Sequence, residues 1–420
     1  MTSPAAPASA GPLSATIVVP GSKSATARSY VLAALADAPS TLTGVLDARD
    51  TRLMRGALTG LGVVFTDLSD TVVRVEPPTR FRAADVQVGL AGTIMRFVPP
   101  LAALAEGPSR FAGDAEAVAR PVAPLLAGLR QAGVAIEHPE SLPFTVHGRL
   151  RVPGGRVAID ASGSSQFVSG LLLSGARFAD GLDLRHTGAT LPSRPHVALT
   201  VGMLRDRGVA IVEPEPDRWV VAPGPIAARD DTIEPDLINA ATFLAAPLLI
   251  GGSVTTAWPA HTVQAADAVL EVLSALGGDV RHEPGRVTVH GSGRVRAADL
   301  DLALTSELTC VAAVLMAVAD GPGRIRGVGH VRGHETDRLA ALQAELNALG
   351  GRVEQTADGL SITPVPLHAG VFHTYADHRM AHAGALLGLA VAGVELDDVS
   401  CTTKTLPDFP GLWRGLLDQR

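Results

Sequence analysis

The stretch "LTGLGVVF" (58–65) joins two patterns within eight residues. Leu58 and Leu61 keep the apolar spacing of a helix, Gly62 interrupts it, and Val63, Val64 and Phe65 form a strand-type run. Glycine readily takes the left-handed backbone that ends a helix, so the stretch predicts a helix, a glycine cap and a strand. The same phrase returns as "LRQAGVAI" (129–136), "LRDRGVAI" (204–211), "LSALGGDV" (273–280) and "LNALGGRV" (346–353), with its glycine at 133, 208, 277 and 350. A recurrence every 72 residues or so marks a repeated supersecondary unit. No sixth copy is clear near the C-terminus.

A second phrase runs between these: a polar cluster, an apolar helix, then small residues. It begins at Lys23, Gly92, Ser164, Asn239, Glu307 and Asp377, again about 70 residues apart. Two helices with intervening strands, repeated six times, predict an α/β architecture. The Pro- and Gly-rich stretch "APGPIAARDDTIEPD" (222–236) separates the third copy from the fourth, so two domains of three units each are expected.

Bulk properties agree with a large folded protein. The chain has 420 residues, 46% hydrophobic and 18% charged, which suits burial of large cores and opposes disorder. A net charge of −7 argues against non-specific nucleic-acid binding, so any anionic ligand must be held by local Lys and Arg clusters. Cys310 and Cys401 are the only cysteines, too few for a disulfide framework or a cysteine zinc site, and they fit a reducing cytosol. "MTSPAAPASAGPLSA" (1–15) lacks the cations and apolar core of a targeting segment and reads as a short tail. No apolar run is long enough to predict a membrane span.

Polar side chains gather at the helix starts. There the unpaired N–H groups and the helix dipole favour anions, by about 0.3–1 kcal/mol per charge. Lys and Arg must supply the rest. "PGSKSATAR" (20–28) offers Lys23, Ser24 and Arg28, and its glycine spacing is wrong for a nucleotide-binding P-loop. "LAGTIMRF" (90–97) allows close backbone approach at Gly92, and "VARPVAPLL" (118–126) sets Arg120 before a helix. "SGSSQF" (162–167) supplies Ser164, Ser165 and Gln166, suited to a polyol, and "LPSRPH" (191–196) adds Ser193 and Arg194. The second half adds Glu307, Glu335, Arg338, Arg379 and Lys404. Singly, these are ordinary: a Ser N-cap, or an Asp-His-Arg that is a salt-bridged cap. Two carboxylates and several cations at equivalent ends of one repeat framework are not.

Taken in order, "PGSKSATAR", "AGTIMR", Arg120 with Pro121, "SSQF", "ETDRL", "DHRMA" and "TKTLPDFP" closely resemble the motifs of the 5-enolpyruvylshikimate-3-phosphate synthases. The likeness runs from Pro20 to Pro410, and "GHETDRLAAL" with "YADHRMA" is similar to actinobacterial members. It implies a two-domain inside-out α/β barrel of six βαβαββ repeats, three per domain. Residues 21–230 would form the shikimate 3-phosphate side; residues 1–20 plus 231–420 would form the side carrying phosphoenolpyruvate and the catalytic carboxylates. The first strand would join the second domain, and ligands would bind in a cleft that closes on them.

The resemblance further implies transfer of the enolpyruvyl group of phosphoenolpyruvate to the 5-hydroxyl of shikimate 3-phosphate. The family adds and then eliminates, through a tetrahedral phospho-ketal, with no metal and no organic cofactor. Shikimate 3-phosphate would meet Lys23, Ser24, Arg28, Ser164, Ser165, Gln166, Ser193, Glu307, His330 and His334. Phosphoenolpyruvate would meet Lys23, Gly92, Arg120, Gln166, Arg338, Arg379 and Lys404. Glu307 aligns with the hydroxyl-side carboxylate, and Glu335, assisted by Lys23, would protonate the methylene. A cytoplasmic monomer acting on small molecules is expected, sensitive to glyphosate because Gly92 leaves room for phosphoenolpyruvate.

Several positions depart from the family pattern: Leu90 before "AGT", Phe97 after "MR", His196, His330, His334 and His382, with Ala27 inside the first motif. His334, where a Lys is frequent, is expected to donate to a substrate and to gain a proton as anions bind. The departures leave a second reading, a specialised enolpyruvyl transferase of secondary metabolism with a related phosphorylated acceptor. A ligand-binding paralogue with weak turnover is the non-enzyme reading; the retained cations and carboxylates oppose it. An enolpyruvyl transferase acting on a UDP-sugar would need a reactive Cys in the second unit, where this chain has none.

Overall fold

A computed structural model describes residues 12–262 and 264–419. The tail expected at the N-terminus lies, up to residue 11, outside the described residues. The chain divides into two compact units, Gly21–Glu234 and the described residues on either side of it, and each encloses its own apolar core.

In the unit Gly21–Glu234 the repeat appears as three four-stranded sheets. The second sheet shows the pattern: Asp85–Gln87 lies parallel to Glu106–Ala112, which pairs antiparallel with Phe144–Arg149, which pairs antiparallel with Ala135–Glu137. A parallel pair needs a crossover, here the helix Gly92–Ala102, and the helix Ala123–Gln131 precedes the closing hairpin. That order is βαβαββ. The crossover helix is buried along its whole length, so it needs no polar face. The outer helices are amphipathic: Arg338–Ala348 buries Leu339, Leu342 and Leu346.

The other unit holds two such sheets, Leu13–Ile17 with Gly252–Ala257, Arg286–Gly291 and Asp279–Glu283, and Asp299–Asp301 with Gly323–Arg326, Leu360–Thr363 and Arg352–Gln355. Its third sheet has two strands, Gly370–Phe372 parallel to Val394–Leu396. The sixth repeat thus keeps both helices, His378–Leu387 and Phe409–Leu417, and no closing hairpin follows the second among the described residues. That explains the missing sixth glycine phrase. The last helix leads instead to Gln419, whose Oε1 accepts from Thr16 N–H (3.0 Å) and whose Nε2 donates to the Thr16 carbonyl (3.3 Å) on the edge strand Leu13–Ile17.

Two short strands occupy each other's expected places in the chain. Leu13–Ile17, before the first repeat, pairs with Gly252–Ala257 of the fourth. Asp231–Thr232, after the third, pairs with Ser40–Thr43 of the first. Residues 231–234, which the sequence reading assigned to the second domain, therefore pack with Gly21–Glu234. Buried Arg207 also pairs with Asp231 there.

All five phrase glycines take the left-handed half of backbone space, with φ of 107° at Gly62, 92° at Gly133, 76° at Gly208, 106° at Gly277 and 92° at Gly350. A Cβ at such positions costs roughly 1–2 kcal/mol, which is why the phrase is visible in one sequence. No helix among the described residues is long and apolar enough to cross a membrane.

Candidate active site

The buried crossover helices begin with the residues singled out from the sequence. Ser22 caps Lys23–Leu35 by accepting from Ala25 N–H, and Lys23 in its first turn lies 3.6 Å from buried Asp50. Arg28, one turn further, is buried among hydroxyls and carbonyls. It donates to Thr200 Oγ1 (2.8 Å), Ser169 Oγ (3.3 Å) and the carbonyls of Ser24 (3.0 Å) and His196 (3.1 Å). Its guanidinium also sits over the Phe97 ring, 5.0 Å from the centroid. Burial pushes Arg28 down to about 9, and among the described residues its side chain bonds only hydroxyls and carbonyls, so its charge remains available to an anion. One departure thus finds a structural use, the Phe97 face against Arg28; the His196 carbonyl is a backbone group that any residue there would offer.

Gly92 opens the second crossover helix, where three polar side chains converge. A Cβ there would lie 2.5 Å from Arg96 Nη1, 2.9 Å from Arg120 Nη2 and 3.1 Å from Gln166 Oε1. Arg96 donates to Gln166 Oε1 (3.3 Å) and the Pro121 carbonyl (2.6 Å), and Arg120 donates to the Leu90 carbonyl (2.5 Å). Leu90 therefore contributes a backbone acceptor. Ser164 Oγ accepts from Gln166 N–H at 3.2 Å, and Ser165 is buried beside it. Ser193, also buried, begins the helix Arg194–Arg205 at φ 47°. A non-glycine residue there stores strain of order 1–3 kcal/mol, of the kind found at ligand sites.

In the other unit a charge network joins three repeats. Arg338 grips Asp377 with two hydrogen bonds (Nε to Oδ2, 2.8 Å; Nη2 to Oδ1, 3.1 Å) and also reaches Glu335 Oε2 (2.9 Å). Lys404 donates to the second oxygen of Glu335 at 2.5 Å. Glu335 is thus a carboxylate held between two buried cations. Asp377 caps His378–Leu387 through Arg379 N–H (2.8 Å), and Arg379 Nη1 donates to Asn239 Oδ1 at 3.0 Å.

His334 is neutral here. Its Nδ1 lies 2.9 Å from Arg338 Nη1, and a guanidinium only donates, so the proton sits on Nε2 and the ring is neutral. Burial first, then the Arg338 charge, hold it well below 6.5. It offers one neutral N–H. Its neighbour His330 packs edge-on at 5.7 Å, bonds Ser306 Oγ at 2.9 Å, and is lowered mainly by burial, against the opposing pull of Glu307.

The structure thus groups Gly92, Arg120 and Gln166 in one unit, and Glu335, Arg338, Lys404 and His334 in the other, where Glu307 acts electrostatically on His330 and His334. Asn239, Asp377 and Arg96 were not assigned roles from the sequence. Asn239 and Asp377 begin the fourth and sixth copies of the helix phrase, in phase with Lys23 and Gly92, and that phase is the signal that could have found them. Asp337 is a plain cap, accepting from Leu339 and Ala340 N–H and pairing with Arg332.

A pH dependence follows. His330, His334 and His382 are all lowered, with burial the largest cause in each, and among the described residues no hydrogen bond reaches either ring nitrogen of fully buried His382. Below about pH 6.5 the unfolded chain binds protons at these rings that the folded chain does not, so stability is full above that pH and falls as pH drops. Each such ring contributes up to about 1.4 kcal/mol per pH unit. Urea unfolding at pH 7.5 and 5.5 should show this slope, and His382→Leu should reduce it; an unchanged slope would refute the assignment.

Comparison with known proteins gives the family and the fold. The sequence model of the family described as EPSP synthase (3-phosphoshikimate 1-carboxyvinyltransferase) matches residues 7–413. Among solved structures, an EPSP synthase from Acinetobacter baumannii superposes with a TM-score of 0.78 at 21% identity, covering 97% of this chain and 96% of that one. The enolpyruvyl transferase NikO from Streptomyces tendae superposes with a TM-score of 0.75 at 22% identity, covering 98% and 96%. At these identities the superpositions establish the shared fold.

Proposed function

We propose that this chain, which belongs to the EPSP synthase family, transfers the enolpyruvyl group of phosphoenolpyruvate to the 5-hydroxyl of shikimate 3-phosphate and releases phosphate. The observation that carries the reading is Glu335 held between Lys404 and Arg338, with a second carboxylate, Glu307, whose charge acts on the neutral rings of His330 and His334. The chemistry needs two proton-handling groups and a cationic shell. Glu307 takes the hydroxyl proton as the oxygen adds to C2 of phosphoenolpyruvate. Glu335, with Lys23 assisting, protonates the methylene. The phospho-ketal then loses phosphate, which leaves with the proton that Glu307 took up, while Glu335 takes back a methyl proton and the double bond is restored.

The acceptor is assigned to Lys23, Ser24, Arg28, Ser164, Ser165, Gln166 and Ser193, with His334 Nε2–H and His330 on the hydroxyl side. Phosphoenolpyruvate is assigned to Lys23, Gly92, Arg120, Gln166, Arg338, Arg379 and Lys404. Preorganised cations stabilise the anionic intermediate more than the ground state. The proposed chemistry calls for neither metal nor organic cofactor, and the reading places a monomer in the cytoplasm.

Phosphate release from phosphoenolpyruvate with shikimate 3-phosphate tests this, with shikimate and other phospho-acids as controls. No release above background with shikimate 3-phosphate would overturn the main reading. Release with a different phosphorylated acceptor alone would establish the specialised transferase instead, the reading that the departures from the family pattern leave open.

Gly92 supplies a second test. Alanine there would drive its methyl into Arg96, Arg120 and Gln166. Gly92→Ala is expected to raise the KM for phosphoenolpyruvate by about tenfold or more, equivalent to roughly 1.4 kcal/mol. Inhibition by glyphosate should weaken in parallel. Steady-state kinetics with each substrate varied would show it, and an unchanged KM would remove Gly92 from that subsite.

A further inference from the structure

Just before Asp377 the chain makes a turn that its side chains disfavour. The Thr374 carbonyl accepts from Asp377 N–H at 2.8 Å, and the two residues between, Tyr375 and Ala376, both have positive φ, 55° and 54°. Turns with positive φ at both central positions are ordinarily built from Gly, Asn or Asp. A Tyr-Ala pair does not hold that shape by its own preference, so something outside the turn must hold it.

Two carboxylates do. Glu345, on the helix Arg338–Ala348 and almost wholly buried, accepts from Tyr375 OH (2.6 Å), from His373 N–H (2.8 Å) and from His373 Nδ1 (3.0 Å). Asp397 accepts from Thr374 N–H (2.9 Å) and Thr374 Oγ1 (3.0 Å). Beyond the turn, Asp377 caps the next helix at Arg379 and takes both hydrogen bonds from Arg338. One helix thus grips the segment twice: Arg338 holds the residue after the turn, and Glu345 holds the residues before and within it.

We propose that Glu345 is a positioning residue for phosphoenolpyruvate, acting through the Tyr375–Ala376 turn to aim Asp377, Arg338 and Arg379. The inference rests on the functional reading above, in which Arg338 and Arg379 meet that substrate. The geometry predicts a larger effect on phosphoenolpyruvate than on the acceptor, because the turn carries Asp377 and through it both arginines, whereas Ser24, Arg28, Ser164, Ser165 and Ser193, assigned to the acceptor, lie in the other unit.

Tyr375→Phe is the cleanest probe, since the ring is 43% exposed and its loss of the hydroxyl leaves no cavity. It should raise the KM for phosphoenolpyruvate about three- to tenfold, the size of one ordinary hydrogen bond, while KM for the acceptor stays within about twofold. Glu345→Gln should act the same way and more strongly. Adding Ala376→Gly to Tyr375→Phe should bring the phosphoenolpyruvate KM back toward wild type, because glycine takes positive φ without help. Wild-type turnover with both single variants unchanged would overturn the role of Glu345. So would equal rises in both KM values, or no rescue by glycine, either of which marks a general structural contact. Wild-type protein that releases no phosphate would overturn the functional reading and this role with it. Should Glu345→Gln fail to fold, Tyr375→Phe and its glycine rescue still decide.

Discussion

Glu335→Gln is expected to lower kcat by about 10²–10⁴-fold, the span of a positioned acid or base, with a much smaller change in the KM of either substrate. Gln keeps the size of Glu335 but only one acceptor oxygen, which can serve Lys404 while Arg338 keeps Asp377. What it loses is the ability to carry a proton. In the structure both Glu335 oxygens are occupied by cations, Lys404 Nζ at 2.5 Å and Arg338 Nη2 at 2.9 Å, which is the arrangement of an ionised carboxylate. Under the proposed mechanism an arriving phosphoenolpyruvate competes for those cations, and the carboxylate freed from them becomes able to take up and deliver a proton. Rapid-quench measurement of the first turnover, with unfolding curves confirming an intact fold, is the check. Near-normal turnover would remove Glu335 from proton transfer.

Asp377→Ala should produce the largest loss of stability, about 3 kcal/mol or more. Asp377 is fully buried and Arg338 nearly so, and their two hydrogen bonds tie helix starts from different repeats. Removing one partner of a buried ion pair typically costs about 3–5 kcal/mol, because the other charge is left in the interior. Glu335 still neutralises part of Arg338, which keeps the estimate near the lower end. Loss of the helix cap at Arg379 N–H adds about 1 kcal/mol. Asp377→Asn keeps the cap acceptor and should cost less than alanine. Denaturant unfolding of the three proteins measures the difference, and an alanine variant as stable as wild type would show that the pair is not structurally coupled.

Much of the architecture is legible in the sequence. The glycines at 62, 133, 208, 277 and 350 mark helix ends because only glycine tolerates that backbone cheaply, a constraint that acts within a few residues and leaves a mark in the sequence. Crossover helices such as Gly92–Ala102 are apolar throughout because they are buried throughout. The boundary near 230 was less legible. Asp231–Thr232 belongs with the first unit because it pairs with a strand about 190 residues earlier, and no local pattern records such a partner.

The same division runs through the candidate site. The sequence alone determined the six-fold repeat, the α/β class and the helix starts at which Lys23, Gly92, Gln166, Glu307, Glu335 and Arg379 stand, because periodicity and caps are local physics. Only the tertiary structure decided which charges meet: Glu335 with Lys404, 69 positions on, and Arg338 with Asp377, 39 positions on. It alone decided that His334 is a neutral donor, since its tautomer depends on Arg338 and its burial. And it alone placed Glu345 under the Tyr375–Ala376 turn. A side chain's charge and partners are set by what packs against it from other repeats, and that information is spread over the whole chain.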